Sequence, residues 1–302
     1  MDVFVAEDTL EGVRLDARIG GSPFNVAIGL ARMQQSVCFV GAISRGRLGE
    51  RLVQALDMEG VSLECVQRVS APTTLGLIAV DAAGVPDYAF YSEGAADRQL
   101  GPAIFDTLPA LTKAIHIGSY ASVVQPIASF LEHLIELEHG QRVIAYDPNV
   151  RLNVEPDINS WRARLTWMLS RTHILKVSEE DLQRLFPDTP VAWLAAQWLA
   201  AGVAVVIVTK GESGASGWCA KGEIHVDAVA PGQLADTVGA GDTFQAALLT
   251  WFNEHQQLTI ERLRQLPIEA LAAAMRFAAT AAAITCGRRG ADLPHRGELP
   301  GD

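Results

Sequence analysis

Gly239, Ala240 and Gly241, followed at once by Asp242, form the stretch of this chain best suited to chemistry. They lie in the run Asp236-Thr237-Val238-Gly239-Ala240-Gly241-Asp242-Thr243-Phe244, just before a segment whose helical apolar face is Phe244, Leu248, Trp251 and Phe252. Small residues let consecutive backbone N–H groups approach an anion with no Cβ in the way. At a helix start those donors have no intrahelical partner, and the helix dipole adds positive potential. Such a turn can cradle a developing phosphate charge. A carboxylate on the same turn can take a proton from a hydroxyl lined up with that phosphate. The same pattern, read from spacing alone, also describes an acid at a helix N-terminus after a glycine-rich turn.

The elements that must position this turn read as an α/β pattern. Continuous apolar runs predict strands at 114–118, 143–147, 173–177 and 203–208, with helices at 126–139, 158–170 and 191–201 between them. This alternation is the signature of a parallel sheet covered on both faces. Upstream, the periodicity predicts a helix over 22–33, a buried strand over 37–41 and an amphipathic helix over 48–58. Residues 75–80 and 88–91 read as a hairpin turning at 81–84, and a second hairpin at 217–226 turns at Lys221-Gly222. Two alanine-rich helical segments, 240–252 and 268–284, complete a single α/β domain with a β-hairpin appendage.

Composition narrows the function. The net charge is −11, with no Lys/Arg stripe of the kind a nucleic-acid partner needs. The four cysteines, Cys38, Cys65, Cys219 and Cys286, are scattered, with neither disulfide-scaffold nor zinc spacing, which fits a reducing compartment. The start lacks a basic and apolar leader pattern, and no uninterrupted apolar run reaches membrane-spanning length, so a soluble cytoplasmic protein is expected. Neither a G-x-x-x-x-G-K-[ST] loop nor an early G-x-G-x-x-G is present.

The run at 236–244 closely resembles the C-terminal signature of the ribokinase-like (PfkB) sugar kinases, and Gly20-Gly21-Ser22-Pro23-Phe24-Asn25 is similar to their N-terminal one. The resemblance implies a three-layer α/β/α sandwich with a mostly parallel sheet and a small β-lid, here about 3–19 and 73–92. It implies an ATP-dependent sugar kinase with Asp242 as base and Gly239, Ala240 and Gly241 stabilising the transferred charge. Asp2, Gly20, Gly21, Asn25, Asn149 and Arg151 are then expected on the sugar, under a lid carrying Tyr88 and Phe90. Lys176, Ser178, Thr209, Gly211, Gly214, Thr280 and Gly290 are expected on the nucleotide. Asp181 would reach Mg²⁺ through water, and Asp236 belongs to a loop that holds K⁺ in some relatives. Ser178, Asp181 and Thr280 depart from the family's usual residues.

Asp147-Pro148-Asn149-x-Arg151 resembles fructokinases and 2-keto-3-deoxygluconate kinases. With the Gly-Gly-Ser-Pro-Phe-Asn run, Tyr91-x-x-Gly-Ala-Ala-Asp97 and Lys-Val-Ser-Glu-Glu, it puts fructose first, the sugar acid second and ribose behind. A catalytically weak sugar-binding or regulatory homologue is the reading of another class. The family opens on an apolar core strand, which the resemblance places upstream of Met1. The lid is also expected to offer a homodimer contact.

Overall fold

Paired strands of mixed polarity open the chain: β1 (Asp2–Thr9) and β2 (Gly12–Arg18) form an antiparallel hairpin. The computed structural model describes residues 1–9, 11–80 and 86–301; the side chains of 5–8, 78–80, 86–88, 103 and 106 also lie outside the description. Helix α1 (Ser22–Arg32) follows, with Pro23 in its first turn, where a missing N–H costs nothing. Next come β3 (Gly41–Ser44), α2 (Arg47–Met58), β4 (Val66–Val69), β5 (Leu75–Val80) and β6 (Pro86–Tyr91). The expected turn at 81–84 lies outside the described residues.

Strands β7 (Ala114–Gly118), β8 (Val143–Asp147), β9 (Ile174–Ser178) and β10 (Val205–Thr209) alternate with α3 (Ile127–Glu138), α4 (Ile158–Leu169), α5 (Glu179–Leu185) and α6 (Val191–Ala200). The antiparallel pair β11 (Ala215–Cys219) and β12 (Gly222–Val226) leads to α7 (Ala240–Glu254), α8 (Ile260–Arg264) and α9 (Ile268–Cys286).

The main sheet has six strands in the order β12-β11-β10-β9-β8-β7, parallel from β7 to β10. Strands β8, β9 and β10 are mostly apolar because both of their faces are buried, whereas β12 at the edge is polar and largely exposed. Ala145, Ile174, Val205 and Ile207 face α7 and α9, where Phe244, Leu248 and Met275 pack. Ile144, Tyr146, Leu175 and Val206 face the other way, onto Trp161, Leu165, Met168 and Trp198. These are the three layers. A separate sheet, ordered β2-β1-β5-β6, makes the appendage, and β3–β4 form a two-stranded parallel pair.

One strand sits elsewhere than expected. Pairing begins at Gly41, opposite Val66, so β3 covers Gly41–Ser44; residues 37–40 lead into it with a single bridge, Cys38 to Ser62. α9 is the one described helix long and apolar enough to cross a membrane by length and composition. Here it is a core helix, with Leu271, Met275 and Ala278 buried.

Burial lowers the pKa of both His116 and His173 to about 4. His173 Nδ1 accepts the Ile144 N–H at 3.0 Å, and neither ring nitrogen of His116 has a partner. An unfolded histidine titrates near ~6.5, so between ~6.5 and about 4 the unfolded chain holds more protons, and acidification costs stability. Asp2, Asp181 and Asp242, raised by burial, act in the opposite sense. In urea unfolding from pH 7 to 4.5, His116→Phe is expected to lose less stability on acidification than wild type. Parallel profiles would remove His116 from the account.

Candidate active site

The N-termini of α1 and α7 meet over the carboxylate of Asp242. Gly239 caps α7 with φ 80°, and a Cβ built there would stand 2.6 Å from that of Ala291. Both the left-handed backbone and the contact therefore demand glycine. Asp236 holds the turn from beneath: Oδ1 accepts the Val238 N–H at 3.0 Å and Oδ2 the Gly290 N–H at 2.9 Å. Asp242 is buried; its Oδ1 accepts from the Ser22 hydroxyl at 2.6 Å and its Oδ2 from the Asn25 amide at 2.8 Å. Burial raises its pKa, and the hydrogen bonds from Ser22 and Asn25 oppose that rise. It is an acid with elevated proton affinity, fixed in place.

A second acid–base pair lies next to it. Lys176, from β9, donates to Asp147 Oδ2, from β8, at 2.8 Å, and both side chains are almost wholly buried. A Cβ built on Gly241 would stand 3.0 Å from Lys176 Nζ, so the ammonium abuts the glycine turn. The other oxygen, Asp147 Oδ1, is buried and has no hydrogen-bond partner. Asp181, at the start of α5, is also buried. Its pKa is raised by burial and then by Asp147, with Arg151 and the Val150 N–H pulling it down. The Ser178 hydroxyl accepts the Asp181 N–H at 3.0 Å, capping α5.

On the opposite wall stands Asp2, at the start of β1. A Cβ built on Gly20 would lie 1.8 Å from Asp2 Oδ2, and one on Gly76 would lie 3.5 Å from Oδ1. Burial raises the pKa of Asp2, against the pull of the nearby amino group and Arg151. Gly20→Ala must displace this carboxylate. It is expected to lower kcat/KM for the acceptor on the order of a hundredfold, the effect of a misplaced contact, with ATP affinity kept. An unchanged acceptor KM and kcat would detach Asp2 from acceptor binding.

Gly21 caps α1, and Asn149 turns the chain after β8 with φ 42°. Arg151 Nη1 donates to the Val150 carbonyl at 3.0 Å. Phe90 meets the edge of Tyr120 at 6.4 Å, and Tyr120 donates to Asp97 Oδ2 at 2.9 Å; Thr74 also donates to Asp97. The Tyr88 side chain lies outside the described residues, and Tyr91 is largely exposed.

On the nucleotide side, Thr209 ends β10 beside Ser178. Gly211 and Gly214 both have positive φ, and a Cβ built on Gly214 would strike the Val226 carbonyl at 2.1 Å. The Thr280 hydroxyl donates to the Arg276 carbonyl at 3.0 Å, within α9. Gly290 has φ 70° and is tied to Asp236. The structure thus joins Asp242 with Asn25, Lys176 with the glycine turn, and Asp2 with Gly20. Sequence reasoning did not assign Ser22, although it stands inside the quoted glycine run. It also left Asp147 without a role, although a carboxylate ending one apolar strand at 147 and a lysine inside the next at 176 signal a buried pair.

Known proteins resemble this chain over most of its length. The family described as pfkB family carbohydrate kinase matches residues 2–296. A fructokinase of Rhizobium leguminosarum bv. trifolii is 32% identical over 271 residues, spanning 90% of this chain and 82% of that protein. The crystal structure of a fructokinase with bound ATP from Xylella fastidiosa superposes with a TM-score of 0.87 at 24% identity, over 98% of this chain and 93% of the other. A Vibrio cholerae O395 fructokinase in fructose-, ADP- and calcium-bound form gives 0.77 at 23% identity, over 96% and 91%.

Proposed function

The chain belongs to the pfkB family of carbohydrate kinases, and from that premise we propose that it transfers the γ-phosphoryl group of ATP to a hydroxyl of fructose. One observation carries the site assignment: a buried carboxylate, Asp242, gripped by Ser22 and Asn25 at the first turn of a helix capped by Gly239. Asp242 takes the hydroxyl proton late in the transfer, as a loose transition state allows. N–H groups at Gly239–Gly241 and the Lys176 ammonium meet the charge on the transferred group. Asp2, held against Gly20, orients sugar hydroxyls, with Asn149 and Arg151 beside it. Thr209, Gly211, Gly214, Thr280 and Gly290 are assigned to the nucleotide.

The residues present fit Mg²⁺ bound through water. Asp147 Oδ1 is a buried acceptor without a donor, and the Asp181 carboxylate lies close enough to feel its charge. Mg²⁺ would supply charge neutralisation on the ATP phosphates. Asp236 accepts two backbone N–H groups and so braces the turn, and this reading assigns K⁺ no step.

Fructose is preferred over 2-keto-3-deoxygluconate because Arg151 already lies in the field of two carboxylates, Asp2 and Asp181, which leaves less charge for a sugar acid. The test is a panel of sugars in a coupled ADP-release assay, with fructose giving the highest kcat/KM. Fructose performing no better than the others would overturn that choice. Sugar binding without any ATP turnover would favour the regulatory reading.

Two copies are proposed to meet through β2, whose Val13 and Leu15 are 55% and 51% exposed. Val13→Asp/Leu15→Asp is expected to shift light-scattering mass from dimer to monomer. A wild-type monomer at assay concentration would refute the contact.

A further inference from the structure

Asp2, Gly76 and Phe90 stand in one row across the sheet that carries the appendage. Asp2 of β1 pairs with Gly76 of β5, and Gly76 pairs with Phe90 of β6, so the three share a face. Gly76 brings no side chain, and its neighbours lean into the space. A Cβ built there would stand 3.0 Å from Phe90 Cε1 and 3.5 Å from Asp2 Oδ1. The row is therefore a slot with a glycine floor, a carboxylate on one side and an aromatic ring on the other. A sugar ring has matching halves: hydroxyls for the carboxylate and a C–H face for the ring.

What fixes the ring lies behind it. Phe90 meets Tyr120 edge-on at 6.4 Å, with the two planes 62° apart. Tyr120 stands just past the end of β7, in the six-stranded sheet, and its hydroxyl donates to Asp97 Oδ2 at 2.9 Å. Burial and the Asp97 charge hold that phenol above its ordinary pKa, so it stays a donor. The hydroxyl of Thr74, two residues before Gly76, donates to the other oxygen, Asp97 Oδ1. The turn carrying Asp97 is itself tied down, since the Ala96 N–H donates to the Pro72 carbonyl at 2.8 Å. The two sheets share no strand among the described residues. One carboxylate thus links the entry of β5 to the end of β7, with both of its oxygens engaged.

Resting on the kinase reading above, we propose that Asp97 and Tyr120 are positioning residues for acceptor choice: their clasp sets the Phe90 ring at the spacing from Asp2 that accepts a small ring sugar. Hydrogen bonds to a carboxylate are charge-assisted and directional, so the Asp97 pair fixes Tyr120 more firmly than packing alone. Tyr120 in turn fixes the tilt of Phe90 through the edge contact. Neither Asp97 nor Tyr120 needs to touch the sugar. Loosening the clasp widens the slot, which weakens a well-fitting sugar more than a poorly fitting one and blunts the preference between them.

The test uses Tyr120→Phe, which keeps the ring and deletes the hydroxyl, with Asp97→Asn as a second variant and Phe90→Leu as the background for a double-mutant cycle. Fructose, ribose and 2-keto-3-deoxygluconate are titrated calorimetrically without ATP, and the same sugars are run in the coupled assay. Tyr120→Phe and Asp97→Asn are each expected to weaken the best-bound sugar about tenfold and to narrow its kcat/KM lead by a similar factor. The ATP KM should stay within about twofold of wild type. In the Phe90→Leu background, Tyr120→Phe should cost less than about twofold more, because both act through one ring. A merely structural role would shift the urea midpoint and leave the sugar preference where it was. Tenfold weaker sugar binding in the variants of a wild type that turns over no ATP would keep the clasp and fell the kinase reading. Unchanged affinity and preference in both variants would overturn the clasp, as would fully independent effects in the cycle or a wild type that binds none of the three sugars.

Discussion

Asp242→Asn is expected to fold normally, bind sugar and nucleotide, and turn over about three orders of magnitude more slowly than wild type, within the range for loss of a general base. The substitution keeps the shape and replaces one acceptor oxygen by an amide that cannot take a proton. Because Ser22 and Asn25 both donate to this carboxylate, the asparagine keeps one such contact and must rearrange the other. A modest stability change beside a large kcat change is therefore the expected pattern, read by urea unfolding and the coupled assay together. Activity within tenfold of wild type would reject Asp242 as base. The pH profile offers an independent reading. Burial raises this carboxyl's pKa, and a base works only when deprotonated, so activity should fall on acidification at a pH above the ordinary carboxylate range. That limb should be absent from the residual activity of the asparagine variant.

Lys176→Met is expected to destabilise the fold by about 3–5 kcal/mol, since it leaves the buried Asp147 charge without its partner. The double variant Lys176→Met/Asp147→Leu removes both charges and is expected to recover most of that loss. It should not recover turnover, because the ammonium beside Gly241 and the orphan oxygen Asp147 Oδ1 go with the pair. Urea unfolding of the four proteins in the cycle decides the matter. A single variant as stable as wild type would mean that water reaches the pair.

Much of this was legible beforehand because the signals were local. The parallel strands are mostly apolar runs, so 114–118 and 143–147 fall where the pattern places them. Gly239 and Gly241 announce a turn that must approach something closely. What escaped was set by long-range pairing. The hairpin Asp2–Arg18 shows no clean alternation of its own; the family resemblance, not the local pattern, put lid segments at about 3–19, and the ladder with β5 is what holds it. Helices α5 and α8 are too short to show a period. The Lys176–Asp147 pair joins residues 29 apart, and Asn25 reaches Asp242 across 217, distances no spacing rule spans. Asn25 is expected on the sugar; the structure adds that its amide donates to the base, a role that only the meeting of α1 and α7 reveals.

The segment from Gly290 to Leu293 is wedged behind both helices that carry the site. Gly290 is tied to Asp236, Ala291 fills the space behind Gly239, Arg32 grips Asp292, and Leu293 presses on Gly29. It acts as a keystone late in the chain: a nascent polypeptide could build the whole parallel sheet before these residues leave the ribosome, yet still lack an aligned base. Competence for phosphoryl transfer would then arrive last, after the scaffold.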